Sequence, residues 1–130
     1  MMVGSMGNEA FGWIWIVTGF VSGAFMGLNF QRQEWLGGYD TLRRRLIRLG
    51  HIAFFGLGVL NILFACTAPR LHLPDLQLRS ASWALLLGGI TMPICCGLMA
   101  WKRQLQPLFA VPVGALLWGG ALMVKGLLSQ

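Results

Sequence analysis

Arg48 and His51 stand three residues apart inside an otherwise apolar run, and no other pair in the chain has as much chemical capacity. Three residues is close to one helical turn, so a helix sets the guanidinium and the imidazole on one face. An ionisable side chain within a hydrocarbon-length segment is expensive, and its presence there points to function. Four arginines in six positions, Arg43, Arg44, Arg45 and Arg48, precede the histidine. Such a cluster attracts anionic lipid phosphates. Asn29, at the end of the preceding apolar run, shares the depth of Arg48 and His51, and Glu34 or Asp40 can approach Arg48 from the connecting segment. The guests that suit such a pocket are a lipid head group, a quinone whose carbonyl is hydrogen-bonded by His51, or a haem whose propionates meet the arginines. The structural alternative is a histidine held by a neighbouring helix backbone.

The remaining inventory restricts the chemistry. His51 and His72 are the two histidines, and they lie 21 residues apart. A helix between them separates them by ~30 Å, too far to share one iron. Cys66, Cys95 and Cys96 show no zinc spacing and no obvious disulfide pairing, and read as small packing residues. No metal site is assigned. The carboxylates Glu9, Glu34, Asp40 and Asp75 all lie outside the apolar runs, and no Ser–His–Asp or Cys–His arrangement accompanies them. No catalytic residue is assigned either, and the sequence requires no cofactor, although quinone and haem stay open.

The elements that must position these residues are membrane-length helices. With 56% hydrophobic and 11% charged residues in 130, the chain has too much apolar surface for one small water-soluble core. Apolar runs at about 12–30, 46–66, 82–101 and 108–128 are each long enough to cross ~30 Å of hydrocarbon. The fold class expected is an all-α polytopic membrane protein, a four-transmembrane-helix bundle forming one domain over 1–130. The first run has no basic residues before it and no small-residue cleavage site after it, so it reads as a span and not as a signal peptide.

The net charge of +6 would raise nucleic acid as a partner in a soluble protein, but here the cations sit between the apolar runs. Seven of the ten Lys and Arg fall in the first and third connections, counting Arg48, and three on the opposite side. The positive-inside bias then predicts both termini outside the cytoplasm, in a bacterial inner membrane. Trp13, Trp15 and Trp83 are expected to mark the outer interface, and Trp35, Tyr39 and Trp101 the inner one. Trp118, near the middle of the fourth run, is expected in the packed interior.

Helices in lipid associate through close backbone approach and polar contacts. Gly19, Gly23 and Gly27, spaced by four, form a smooth stripe for such packing. Thr18, Asn61 and Thr91 fall at similar depths and are expected to meet in a polar layer. A transporter would instead place a wet cavity near Asn61 and Thr91. Pro93 and Pro112 are candidates for kinks. The segment Trp35–Gly58, WLGGYDTLRRRLIRLGHIAFFGLG, opens with Gly37 and Gly38 for a tight turn, and Asp40 or Thr41 can cap the following helix.

That same segment resembles small four-span bacterial inner-membrane proteins of unassigned activity, over roughly half the chain. The resemblance implies the architecture and no reaction. Small multidrug exporters also have four spans but depend on a glutamate in the first, which is absent here. Arg48 and His51 resemble a fragment of the arginine–histidine–asparagine–glutamate signature of membrane-associated glutathione and eicosanoid enzymes, but Ala53 and Phe54 break the pattern. The function expected is therefore a non-enzymatic accessory or stabilising subunit of a larger membrane complex. Its partners would be membrane lipids, including anionic lipids, and other membrane subunits or further copies of itself. The alternative is a quinone-, haem- or lipid-binding electron-transfer module using Arg48 and His51.

Overall fold

The computed structural model describes the backbone of residues 2–129 and the side chains of residues 6–129. Four α-helices make up most of it: α1 (Met2–Asn29), α2 (Leu42–Thr67), α3 (Asp75–Trp101) and α4 (Ala110–Leu128). Short 3-10 turns at Trp35–Gly37, Ala68–Arg70 and Arg103–Phe109 fill the connections. All four helices are long and apolar enough to cross a membrane. The first three begin earlier than hydropathy suggests, and for α2 and α3 the start follows the capping residues and not the point where polarity ends, while α4 begins at Ala110 after the 3-10 turn. Thr41 caps α2 by accepting the Arg44 N–H at 3.3 Å. Pro74 precedes α3, with Asp75 in its first turn where the helix dipole favours an acid.

Successive helices run antiparallel and pack in order, α1 on α2, α2 on α3 and α3 on α4, with α1 also touching α3. One end therefore gathers the end of α1, the start of α2, the end of α3 and the start of α4, and it carries the arginine cluster. The opposite end gathers the start of α1, the end of α2, the start of α3 and the end of α4.

Glycines act as sockets at the helix contacts. On α1, Gly23, Gly19 and Gly12 face His51, Phe55 and Ile62 of α2 so closely that a Cβ would lie within 2.9 Å of each. The steps are four and seven residues on both helices, the near-heptad register of a shallow crossing. Gly12 and Gly58 bring the two backbones together: a Cβ on Gly58 would stand 2.8 Å from the Gly12 carbonyl oxygen. Elsewhere Gly88 receives Leu116, Gly119 receives Leu85 and Gly126 receives Leu73. Phe64, Leu71, Leu78, Leu85 and Leu122 form a buried cluster near this opposite end.

Some packing expectations need correction. Gly27 has open space where a Cβ would stand, so the filled stripe is Gly12, Gly19 and Gly23. Pro112 lies in the first turn of α4, where its missing N–H removes no helix bond and gives no kink. Trp118 points outward, 57% exposed, and its indole N–H donates to Ser80 Oγ at 3.0 Å. Trp15 turns inward and donates to the Gly89 carbonyl at 2.9 Å, whereas Trp13, Trp83 and Trp101 are exposed. Cys95 and Cys96 are buried and Cys66 exposed, all three free.

Candidate functional site

The polar residues separate into three groups. The first is at the arginine end. Backbone geometry in the 30–41 segment is unusual: Leu36 takes φ 59°, followed by Gly37 at 87° and Gly38 at 110°. A left-handed conformation costs a leucine about 1–2 kcal/mol, so something must hold it. Thr41 does so, its hydroxyl facing the Leu36 and Gly38 carbonyl oxygens at 3.0 and 2.9 Å while it caps α2.

This turn folds an aromatic wall over Arg44. Arg44 is 2% exposed, and its guanidinium lies 4.8 Å from the Tyr39 ring centre, 5.3 Å from Phe30 and 5.5 Å from Trp35. One terminal nitrogen donates to the Phe30 carbonyl at 3.3 Å, and Nε has no partner. No carboxylate pairs with it among the described residues. Cation–π contacts replace an ion pair, each contributing about 0.5–2 kcal/mol according to desolvation. Arg44 thus pins the end of α1 and the connection to α2, and a guest cannot reach it.

Its neighbours are more available. Arg48 is half-buried with its guanidinium 5.6 Å from the Tyr39 ring centre. Arg45 is exposed. Arg43 turns the other way, its Nε donating to the Ala100 carbonyl at 3.1 Å and its guanidinium carbon 5.7 Å from the Trp101 ring centre. Between the 36–43 segment and the end of α3 lies a groove of about 370 Å³, lined by Thr41, Arg43, Trp101 and Arg103 over an apolar floor that includes Leu36 and Met99.

The second group is His51 with Ser22. Ser22 Oγ donates to the Gly19 carbonyl at 2.9 Å, so in the 2.8 Å contact with His51 Nδ1 the imidazole N–H is the donor. The Cε1–Nε2 edge of the ring abuts Gly23. An edge-on Phe55 ring at 5.4 Å closes another side. The histidine therefore fills a socket between α1 and α2, with little space for a planar guest against that edge. Asn29 does not join it: its side-chain amide donates to the Phe25 carbonyl of its own helix at 2.9 Å. The expected Asn29–Arg48–His51 pocket is not assembled, since intrahelical bonding satisfies Asn29 at no entropic cost of reaching across.

The third group is buried near the end opposite the arginine cluster. Asn61 Oδ1 accepts from Asn8 Nδ2 at 2.7 Å, and Ser82 Oγ donates to Asn8 Oδ1. Asn8 Nδ2 also approaches the Ser82 carbonyl at 3.4 Å, and Asn61 Nδ2 donates to the Leu57 carbonyl at 2.8 Å. Three helices are tied by one satisfied network. Asn61 thus meets Asn8, and through it Ser82, and not the expected threonines: Thr91 donates to its own Leu87 carbonyl at 2.7 Å and Thr18 to its own Ile14. Asn8 and Ser82 escape a hydropathy reading because Asn8 precedes the apolar run. The signal for Asn8 was helical spacing, since positions 8, 12, 15, 19 and 22 lie on one face of α1.

Fold and site together define an all-helical protein with four membrane-length helices and one arginine-rich, aromatic-walled end. Comparison with protein-family models, characterised proteins and solved structures gives no match.

Proposed function

We propose that this chain is a multi-pass protein of the bacterial inner membrane, with both termini outside the cytoplasm, acting as a non-enzymatic accessory subunit that stabilises a larger membrane assembly. The supporting observation is the division of its glycines. Those between helices are filled by a neighbour's side chain, whereas Gly27, Gly56, Gly97, Gly114 and Gly120 have nothing within 4 Å of a would-be Cβ. A glycine in a helix interior costs about 0.5–1 kcal/mol relative to alanine, and lipid tails gain nothing from its small size. Another helix does, because close backbone approach is what joins helices in a membrane. On α4 the exposed residues Gly114, Leu117 and Ala121 follow a three-and-four spacing along one outer face.

Seven cations at the arginine end against three at the other support a cytoplasmic arginine end among anionic lipids. The internal bonding of His51 favours the accessory role over a haem or quinone carrier. Native purification in mild detergent should recover a larger assembly containing a stoichiometric membrane partner or further copies, and Gly114→Leu should weaken it. A monodisperse monomer from native membranes, with nothing bound in stoichiometric amount, would refute the accessory role. In a cysteine-free background, thiols introduced at Gln33 and Gln104 should label from the cytoplasmic face and one at Ser129 from the other.

A further inference from the structure

The geometry points to a phosphodiester site in the groove at the arginine end, where Arg43 and Arg103 hold the phosphate of an anionic lipid beside Trp101. This rests on the reading that the arginine end lies in the head-group layer. The groove is about 370 Å³, enough for a phosphate and its glycerol but not for acyl chains, which would leave along the outer surface.

Three features make it an anion site and not a mere crevice. The Arg43 guanidinium is oriented in advance: Nε is fixed on the Ala100 carbonyl and the plane lies near Trp101, so both terminal nitrogens remain unpartnered among the described residues. A planar fork fixed in this way meets two phosphate oxygens without further ordering. Arg103, on the groove wall, has no side-chain partner among the described residues. No carboxylate lines the groove, so the two positive charges have no protein counter-ion within it. The floor adds selectivity by size and polarity, since Leu36 and Met99 present apolar surface to a glycerol backbone.

The assignment separates groove arginines from the general positive belt. An arginine that bonds the lipid phosphate directly should contribute about fivefold or more, whereas an exposed arginine outside the groove stays hydrated and screened and contributes less than twofold. Full-length protein is reconstituted in phosphatidylcholine vesicles containing phosphatidylglycerol with brominated chains, and bromine quenching of Trp101 is read as the difference between the wild type and Trp101→Phe. Quenching by brominated phosphatidylglycerol should exceed that by brominated phosphatidylcholine at equal fraction. Arg103→Gln, which removes no internal contact, should lower that preference about fivefold, and Arg43→Gln with Arg103→Gln about 25-fold. Arg45→Gln, outside the groove, should lower it less than twofold. Equal losses for Arg45→Gln and Arg103→Gln overturn the site in favour of diffuse attraction. Loss of the preference when inorganic phosphate replaces chloride at constant ionic strength overturns the lipid assignment in favour of a free anion. Labelling at Gln33 and Gln104 tests the placement independently, so a correctly oriented protein without an Arg103-dependent preference overturns the site alone.

Discussion

Gly56 and Gly58 lie two residues apart on α2 and should respond to alanine with opposite signs. At Gly56 a methyl group meets nothing within 4 Å, so Gly56→Ala should only relieve the conformational entropy of glycine and stabilise by about 0.5–1 kcal/mol. At Gly58 the same methyl would stand 2.8 Å from the Gly12 carbonyl oxygen, 3.0 Å from Ile16 Cγ1 and 3.3 Å from the Ile16 backbone nitrogen. Two of these atoms are backbone, so relief requires α1 to move away from α2. Overpacking of this kind costs about 1–3 kcal/mol, from which the gain in helix preference is subtracted, leaving a net loss of about 0–2.5 kcal/mol. Separation would also weaken the filled sockets at Gly19 and Gly23, placing the result toward the upper end. Equilibrium unfolding in mixed micelles, followed by far-ultraviolet circular dichroism, resolves such differences. If Gly58→Ala were as stable as wild type, or Gly56→Ala less stable than Gly58→Ala, the antiparallel register of α1 on α2 would be wrong.

Other perturbations address the polar groups. Asn61→Leu should destabilise by about 1–2 kcal/mol, and a double-mutant cycle with Asn8→Leu should show a coupling of about 0.6–2 kcal/mol, as expected for interhelical bonds in a membrane. Thr91→Val, whose hydroxyl serves only its own helix, should change stability by less than about 0.5 kcal/mol in the same unfolding assay. Arg44→Gln removes the three ring contacts and the bond to Phe30, and should raise proteolytic cleavage in the 30–41 segment severalfold while Arg45→Gln leaves it unchanged. His51→Phe should fill the Gly23 socket, losing only the Ser22 bond, about 0.5–1.5 kcal/mol in the unfolding assay.

Much of this was legible in the chain because hydrocarbon-length apolar runs admit few backbone solutions. The four helices, the turn at Gly37 and Gly38, the Thr41 cap and the stripe through Gly19 and Gly23 all follow from local composition and helical spacing. The functional residues were less legible. Arg43, Arg44, Arg45 and Arg48 are four similar side chains in six positions, yet they point in different directions around α2. Arg44 is sealed beneath three rings, Arg43 leans on Trp101, Arg48 lies half-buried beside Tyr39 and Arg45 remains exposed. Asn29 and Thr91 had suitable depth but bond their own helices, and depth alone cannot say which residues meet.

The sequence by itself determined the number of helices, their antiparallel order and the collection of positive charge at one end, because these depend on apolar length and charge placement along one dimension. Only the tertiary structure decided which side chains became partners: Asn8 with Asn61 and Ser82, His51 with Ser22, and Arg44 with aromatic rings in place of a carboxylate. Those choices depend on the rotation of each helix about its own axis. That rotation is fixed where a glycine on one helix admits a large side chain from the next.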